Sequence, residues 1–387
     1  MEIGIIGAGY VGLITATILA SKNTSKRFTV IESLEKKIEQ LKAKQHYIKE
    51  PGFEELFDKV FEKNLLVSSS MDDIKNCDII FIAVGTPDID GHCNLTYFNE
   101  AVESINKVAK ENALVIVKST VPVGTTKKTS EKMRKDLILM NIPEFLAEGS
   151  AVNDLRNPVR ILIGTTKEMN ESDIEKIRSL FSYVDSEKIV FTDSNTSELI
   201  KLSSNFILAQ RVATINLIEN IAKQYKANIT DISKILRMDD RIGHKFLSPS
   251  AAFGGSCFKK DINNLSSICQ DSIFSKYIKS VNVINEYHAL LISEEIPKHS
   301  RVLILGYGFK NGTEDTRESP TEIILKYLSS TVVVDVYDSH IEKYAKKPLK
   351  MDYDKYILMN DEDEYVEMLK GIDKNRIINP RYSTKLQ

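Results

Sequence analysis

Residues 2–12, EIGIIGAGYVG, decide the fold of this chain. The apolar run Glu2 to Ile6 stops in glycines, which is how a buried parallel strand reads. Gly7-Ala8-Gly9-Tyr10-Val11-Gly12 then fits GxGxxG. A lone match is weak evidence. Here it ends a strand and opens a helix from about Val11 to Ser21. A second strand follows over 28–32, and its last residue, Glu32, comes 20 residues after Gly12. That context predicts a dinucleotide-binding turn. Gly7 permits the tight turn, Gly9 lets a pyrophosphate approach the helix N-terminus, and Gly12 lets helix and sheet touch. The Glu32 carboxylate suits ribose hydroxyls and repels a 2′-phosphate, so NAD is expected over NADP. A flavin site or a Rossmann fold without cofactor is the alternative.

Outward from this turn, Leu34, Ile38 and Leu41 recur at helical spacing. Residues 78–84 and 114–118 read as further buried strands, and 160–164 and 188–192 as later strands of the same domain. Strands alternating with helices predict a parallel sheet with right-handed crossovers. Near Ser194 the pattern changes. Residues 196–226 contain no Pro or Gly and place Leu199, Leu202, Phe206, Ala209, Ala213 and Leu217 on one helical stripe. More helix is expected to about Asp239, a loop over 241–257, and helix again from about Lys259 to Pro297. Residues 301–306 and 331–337 begin a second αβ unit, and the tail beyond about Tyr344 carries no clear pattern. The expected class is α/β: two Rossmann-like domains joined by a long central helix and a helical middle domain. The expected boundaries are 1–195 for the NAD-binding domain, 196–297 for the helical (dimerisation) domain and 298–387 for the C-terminal domain.

The 387 residues are enough for two or three domains. Lys plus Arg number 52 and Asp plus Glu 54, a formal net charge of -2. That balance lacks the basic surface a general nucleic-acid binder needs. The four cysteines, Cys77, Cys93, Cys257 and Cys269, form no CxxC pair, so neither zinc nor a disulfide framework is expected. No apolar stretch approaches the roughly 18 residues of a membrane span, and the first strand follows no charged leader. A reducing cytoplasm, where free thiols persist, is the expected location.

The second informative segment is Phe253-Gly254-Gly255-Ser256-Cys257-Phe258-Lys259-Lys260-Asp261. It places a thiol near a helix start, where amide dipoles, Lys259 and Lys260 would favour the reactive thiolate. Asp261 lies one turn on and can serve as base or water-holder. A buried structural cysteine is the competing reading. Lys201 and Asn205 share a face of the long helix at i, i+4 and could stabilise an oxyanion; a solvated Lys beside a bridging Asn is the plainer one. Glu144 and Glu148, after Pro143, could be an acid/base pair or a solvated helix turn. Val84-Gly85-Thr86-Pro87 and Lys118-Ser119-Thr120 sit at carboxyl ends of expected parallel strands, where ligands bind in such sheets.

Taken together, GAGYVG (7–12), KSTVPVGTT (118–126), PEFLAEGSAVNDLRNP (143–158), LIKLSSNFILAQRV (199–212), RIGHKFLSPSAAFGGSCFKKD (241–261) and GYGFKNGTEDTRESP (306–320) carry a family resemblance. The chain resembles the UDP-glucose/GDP-mannose dehydrogenases, over residues 1 to about 340 and most closely in their UDP-glucose branch. The resemblance implies a homodimer across the central helix and no metal. It implies a four-electron oxidation of the sugar C6 alcohol of UDP-glucose to the carboxylate of UDP-glucuronate, using two NAD. Cys257 would carry the C6 carbon as thiohemiacetal and thioester. Lys201 and Asn205 would stabilise the C6 oxygen, Asp261 and Thr120 would hold or activate a water, and Glu144 and Glu148 would lie near the nicotinamide and that water. Besides the glycines and Glu32, the cofactor side would include Tyr10, Val11, Lys37, Gly85, Thr86, Pro87, Ser119, Lys260 and Arg317. The substrate side would include Glu144, Phe145, Leu146 and Ala147, the loop residues Phe246, Leu247, Ser248, Ser250, Phe253 and Gly254, and Lys310. Arg241 would reach the partner subunit's site. Phe246 and Phe253 stand where some bacterial members carry Tyr, and the last 40 residues match the pattern poorly. A sister enzyme acting on GDP-mannose or a UDP-N-acetylhexosamine, and a non-catalytic sugar-nucleotide binder, are the alternatives.

Overall fold

The computed structural model describes residues 1–348 and 352–386; of the expected C-terminal domain, residues 349–351 and 387 lie outside them. The chain forms two compact units that divide between Leu202 and Ser203.

The first unit is built on an eight-stranded sheet. In chain order it runs β1 (Glu2–Ile6), α1 (Tyr10–Lys22), β2 (Arg27–Ile31), α2 (Glu35–Lys42), α3 (Phe53–Val60), β3 (Leu65–Ser68) and β4 (Ile79–Ile82). A small hairpin, β5 (Asp88–Ile89) and β6 (His92–Cys93), precedes α4 (Thr96–Val108) and β7 (Leu114–Val117). Then come α5 (Thr125–Lys132), β8 (Ile138–Asn141), α6 (Ala151–Arg156), β9 (Ile161–Thr165), α7 (Glu171–Leu180) and β10 (Ile189–Asp193). The strand order is β10-β9-β8-β7-β4-β1-β2-β3. β1, β4 and β7 are buried on both faces, as an apolar run without alternation requires. One face packs on Leu13, Phe53, Phe57 and Phe81, the other on Phe98, Ile105 and Val115.

Strand order reverses between β1 and β4, so a ligand crevice opens at their carboxyl ends. The sheet is not wholly parallel. β8 and β9 pair antiparallel, Met140 opposite Thr165 and Asn141 opposite Gly164. The short α6 lies between them without making a crossover, and an apolar strand reads the same in either direction. Strands β3 and β8 and helices α3 and α4 were not foreseen; Leu65–Ser68 and Ile138–Asn141 are four-residue strands whose neighbours are charged.

The helix α8 (Ser194–Tyr225) is 32 residues long and crosses the boundary between the units. Asp193 caps its start by accepting from the Thr196 amide at 3.0 Å. The second unit continues with α9 (Ile229–Leu236), α10 (Phe258–Ile268) and α11 (Ser272–Glu294). The helix expected over 259–297 is thus two. Asp271 accepts from the amides of Ile273 and Phe274 and starts a new helix there. β11 (Arg301–Leu305), α12 (Pro320–Tyr327), β12 (Val333–Tyr337), β13 (Lys355–Leu358), α13 (Asp363–Met368) and β14 (Ile377–Ile378) complete the unit. Its four strands are all parallel in the order β12-β11-β13-β14. The tail that carried no pattern therefore supplies two strands of this sheet. Among the described residues, no helix is long and apolar enough to cross a membrane.

Candidate active site

At the carboxyl end of β1, Gly7 has φ +102°, and a Cβ on Gly12 would stand 2.0 Å from the Gly7 carbonyl oxygen. The turn and α1 therefore meet backbone to backbone, leaving room for a pyrophosphate over the amides that follow Gly9. The buried Glu32 carboxylate accepts from the Ala8 amide at 3.2 Å and the Leu34 amide at 3.1 Å. Lys37 Nζ stands 3.4 Å from it. These contacts aim a carboxylate at the glycine turn, which fits a ribose diol and disfavours a phosphate there. Val11 lies in the first turn of α1.

Two neighbours went unread in the sequence. Tyr47 donates its hydroxyl to the Ala8 carbonyl at 2.6 Å. Glu50 is buried, takes the Tyr10 hydroxyl at 2.5 Å, and accepts from the amides of Gly149 and Ala151 at 2.7 Å each. Burial and the Glu50 carboxylate push the Tyr10 phenol far above its ordinary range, so it keeps its proton and donates it to Glu50. Glu50 lies between the recognisable blocks, in a stretch rich in charge, which hid it.

The loops after β4 and β7 are tied together. Thr86 donates to the Thr120 carbonyl at 2.7 Å and Ser119 to the Val84 carbonyl at 2.7 Å. Gly85 and Pro87 flank Thr86 at the surface. After β8 the chain does not form a helix turn, so Glu144 and Glu148 do not share a helical face. Pro143 removes an amide donor there. Glu144 is buried, accepts from the amides of Phe145 and Leu146 at 2.6 and 2.8 Å, and pairs with Lys118 at 2.9 Å. Glu148 lies partly exposed in the following turn, close enough for its charge to raise the Tyr10 phenol further. The Ala147 amide donates to Asp154. Lys201 is 7% exposed, and its ammonium lies 5.5 Å from the centre of the Phe145 ring. A solvated lysine is excluded.

In the second unit Cys257 is the residue from which α10 starts, and its thiol is exposed. The buried structural reading fails. Asp261, one turn on, is 1% exposed. Asn205 donates to one of its oxygens at 2.6 Å and Lys260 to the other at 2.6 Å. Lys259 pairs with Glu318 at 2.8 Å. Both lysines are thus engaged by carboxylates. The amides of the α10 N-terminus remain as the polar field at the sulfur.

The loop before Cys257 is held by its backbone. Asn285 accepts from the Phe253 amide at 2.8 Å and donates to its carbonyl at 3.0 Å. Asn216 accepts from the Ser250 amide, and Ser233 donates to the Leu247 carbonyl at 2.6 Å. Gly254 has no room for a side chain, since a Cβ would meet the Glu318 carbonyl at 2.4 Å. Phe246 is 40% exposed and held at φ +62°. Ser248 receives Arg237 at 3.4 Å. Arg211 clasps the preceding turn, donating to the carbonyls of Ile242, Gly243 and Lys245. Arg241 extends into solvent and pairs with Asp239; Arg317 pairs with Asp315. Lys310 lies 5.2 Å from the Phe309 ring centre. Among the described residues, no group of three His, Cys, Asp or Glu side chains could hold a metal.

A dinucleotide turn with an acidic ribose partner, and an exposed thiol on a helix start beside a buried carboxylate, define an NAD-dependent oxidoreductase. Three consecutive family descriptions match: the NAD binding domain of the UDP-glucose/GDP-mannose dehydrogenase family over residues 1–185, its central domain over 195–287 and its UDP binding domain over 303–378. The UDP-glucose 6-dehydrogenase of Drosophila melanogaster is 35% identical over 370 residues, 88% of this chain and 77% of that protein. UDP-glucose 6-dehydrogenase 3 of Oryza sativa subsp. japonica is 33% identical, over 91% of this chain and 78% of its own length. A UDP-glucose dehydrogenase structure from Pyrobaculum islandicum superposes with TM-score 0.86 at 27% identity, covering 100% of this chain and 95% of that one. A UDP-D-ManNAc dehydrogenase structure from Pyrococcus horikoshii gives TM-score 0.85 at 25% identity, covering 99% and 96%. This chain belongs to the UDP-glucose/GDP-mannose dehydrogenase family.

Proposed function

We propose that the chain oxidises UDP-glucose to UDP-glucuronate, with two NAD consumed per sugar and Cys257 as the covalent carrier. The exposed Cys257 thiol at the start of an 11-residue helix is the observation that carries this reading. Bound NAD supplies a hydride acceptor, and the residues of the Gly7–Gly12 turn with Glu32 would hold its pyrophosphate and ribose.

Oxidation of the C6 alcohol to an aldehyde would pass its proton to a base on the chain, with NAD as the hydride acceptor. The Cys257 thiolate adds to the aldehyde carbon, forming a C–S bond and an oxyanion that Lys201 and Asn205 stabilise. Oxidation of this adduct, with the second NAD as hydride acceptor, would leave a thioester on Cys257. Water then attacks the carbonyl, the C–S bond breaks, and the thiolate leaves with the carboxylate formed. A thiolate leaves more readily than an alkoxide and retains the aldehyde between oxidations. Asp261 with Thr120, or one of Glu144 and Glu148, handles the proton of that water. The loop from Phe246 to Gly254, Phe145 to Ala147 and Lys310 serve the substrate, and Arg317 and Lys260 the cofactor. Arg241, 90% exposed at its side chain, serves the partner subunit of a homodimer. The working modules are residues 1–195, 196–297 and 298–387, and the setting is the cytoplasm.

A sister reaction on GDP-mannose or a UDP-N-acetylhexosamine uses the same chemistry, so NADH is counted per molecule of each sugar nucleotide. Two NADH from UDP-glucose, and little turnover of the others, is the expected result. One NADH per sugar sinks the thioester route. Cys257→Ser should stop short of the carboxylate or trap an adduct, and unimpaired uronate formation by that variant refutes the role of the thiol.

A further inference from the structure

The segment after β14 lies beyond the last residue matched by the UDP binding domain, residue 378. It nevertheless reaches the middle of the second unit. Arg381 and Ser383 are fastened on one side: Arg381 donates to the Met359 carbonyl and to Asn360, and Ser383 to Asp361. Tyr382, between them, turns the other way. Its backbone is held at φ +51°, a conformation a bulky L residue adopts only when its surroundings impose it.

What imposes it is a pair of contacts. The Tyr382 ring packs on the buried cluster of Ile215, Ala222, Ile229 and Leu247. Its hydroxyl donates to Glu219 at 2.6 Å. Glu219 on α8 is 2% exposed and also receives Lys223 at 2.8 Å. Its other oxygen stands 3.5 Å from His288 Nε2 on α11. His288 Nε2 in turn lies 3.0 Å from the Ser250 carbonyl, and Asn220 stands 2.8 Å from Nδ1. The network assigns the proton to Nε2, so the ring donates to Ser250 and accepts from Asn220. Leu247 and Ser250 both belong to the loop that precedes Cys257.

The geometry points to Tyr382 as a positioning residue for the substrate loop: its ring packs on the cluster that includes Leu247, and its hydroxyl fixes Glu219 and, through it, the imidazole that holds Ser250. The loop binds sugar nucleotide only in so far as the proposed function holds, and the inference rests on that reading. The run of contacts from Tyr382 leads through Glu219 and His288 to the substrate loop, so its effect is expected on the sugar-nucleotide substrate.

The test compares Tyr382→Phe, which keeps the ring and loses the hydroxyl, with Tyr382→Ala. With wild-type turnover of UDP-glucose established, Tyr382→Phe should raise the KM for UDP-glucose about three- to tenfold while kcat and the KM for NAD stay within about twofold. Amide exchange over residues 247–253 in protein without substrate should quicken in the same variant, and more in Tyr382→Ala. Unchanged exchange in both variants overturns the inference. So does a joint rise of both KM values with a lowered Tm, which marks general destabilisation. Should the wild type fail to oxidise UDP-glucose, the functional reading falls, and the exchange arm still decides the inference.

Discussion

Lys118 Nζ lies 2.9 Å from Glu144 Oε2, and both side chains are buried, 4% and 7% exposed. The pair joins the carboxyl end of β7 to the chain after β8, next to Phe145 and, through its ring, Lys201. Two charges taken out of water need each other, and the partner amides of Phe145 and Leu146 complete the carboxylate. Removing one charge leaves the other uncompensated. Lys118→Met should lower stability by about 3–5 kcal/mol. Lys118→Met combined with Glu144→Gln should recover much of that loss. Denaturant midpoints of the three variants check this, and a double variant no better than the single one refutes the pairing argument.

Asn205 and Asp261 make the corresponding contact in the second unit. The short bond orients the buried carboxylate, whose other oxygen belongs to Lys260. Asn205→Ala frees Asp261 and withdraws an amide donor from the proposed oxyanion. A fall in kcat of about a hundred- to a thousandfold is expected, with KM for UDP-glucose much less affected. Steady-state kinetics decide; a change confined to KM assigns Asn205 to binding alone.

Much of this architecture was legible in the sequence, and unevenly so. The Gly7–Gly12 turn, Glu32 and α8 announce themselves because each rests on local rules: a turn only glycine fits, a fixed spacing, a 32-residue run without breakers. The direction of β9 was not legible, because apolar strands carry no sign of parallel or antiparallel pairing. Glu50 was missed because its three partners, Tyr10, Gly149 and Ala151, are brought together only by the fold. Lys259 and Lys260 show the same limit: nearness in sequence puts them by Cys257, but their partners Glu318 and Asp261 are visible only in the fold. Tyr382 had no pattern around it, and its tertiary contacts, with Glu219 and with the cluster that includes Leu247, give it meaning.

Glu32 carries a prediction about the cofactor. Its carboxylate is set at the glycine turn by the Ala8 and Leu34 amides, so a 2′-phosphate would meet a fixed negative charge. Glu32→Gln keeps the acceptor oxygen and removes the charge. The ratio of kcat/KM for NADP to that for NAD should rise about tenfold or more. An unchanged ratio places the discrimination elsewhere.

The buried imidazole of His288 makes stability depend on pH. Burial lowers its pKa below the ordinary 6.5, against the pull of Glu219 and with the help of Lys223; the Ser250 carbonyl and Glu295 act with Glu219. The unfolded chain therefore takes up a proton at a higher pH than the folded one. Above the ordinary value neither state binds it, and the group contributes nothing to the slope. As pH falls below about 6.5, the unfolded state gains the proton first and stability declines. The decline ends only below the folded value, where both states are protonated. His288→Gln keeps a donor for Ser250 and removes the titration. Tm measured across about pH 5 to 7.5 should fall less steeply toward acid in this variant than in the wild type. Parallel curves would mean that His288 titrates alike in both states and that the acid limb belongs to carboxylates elsewhere in the chain.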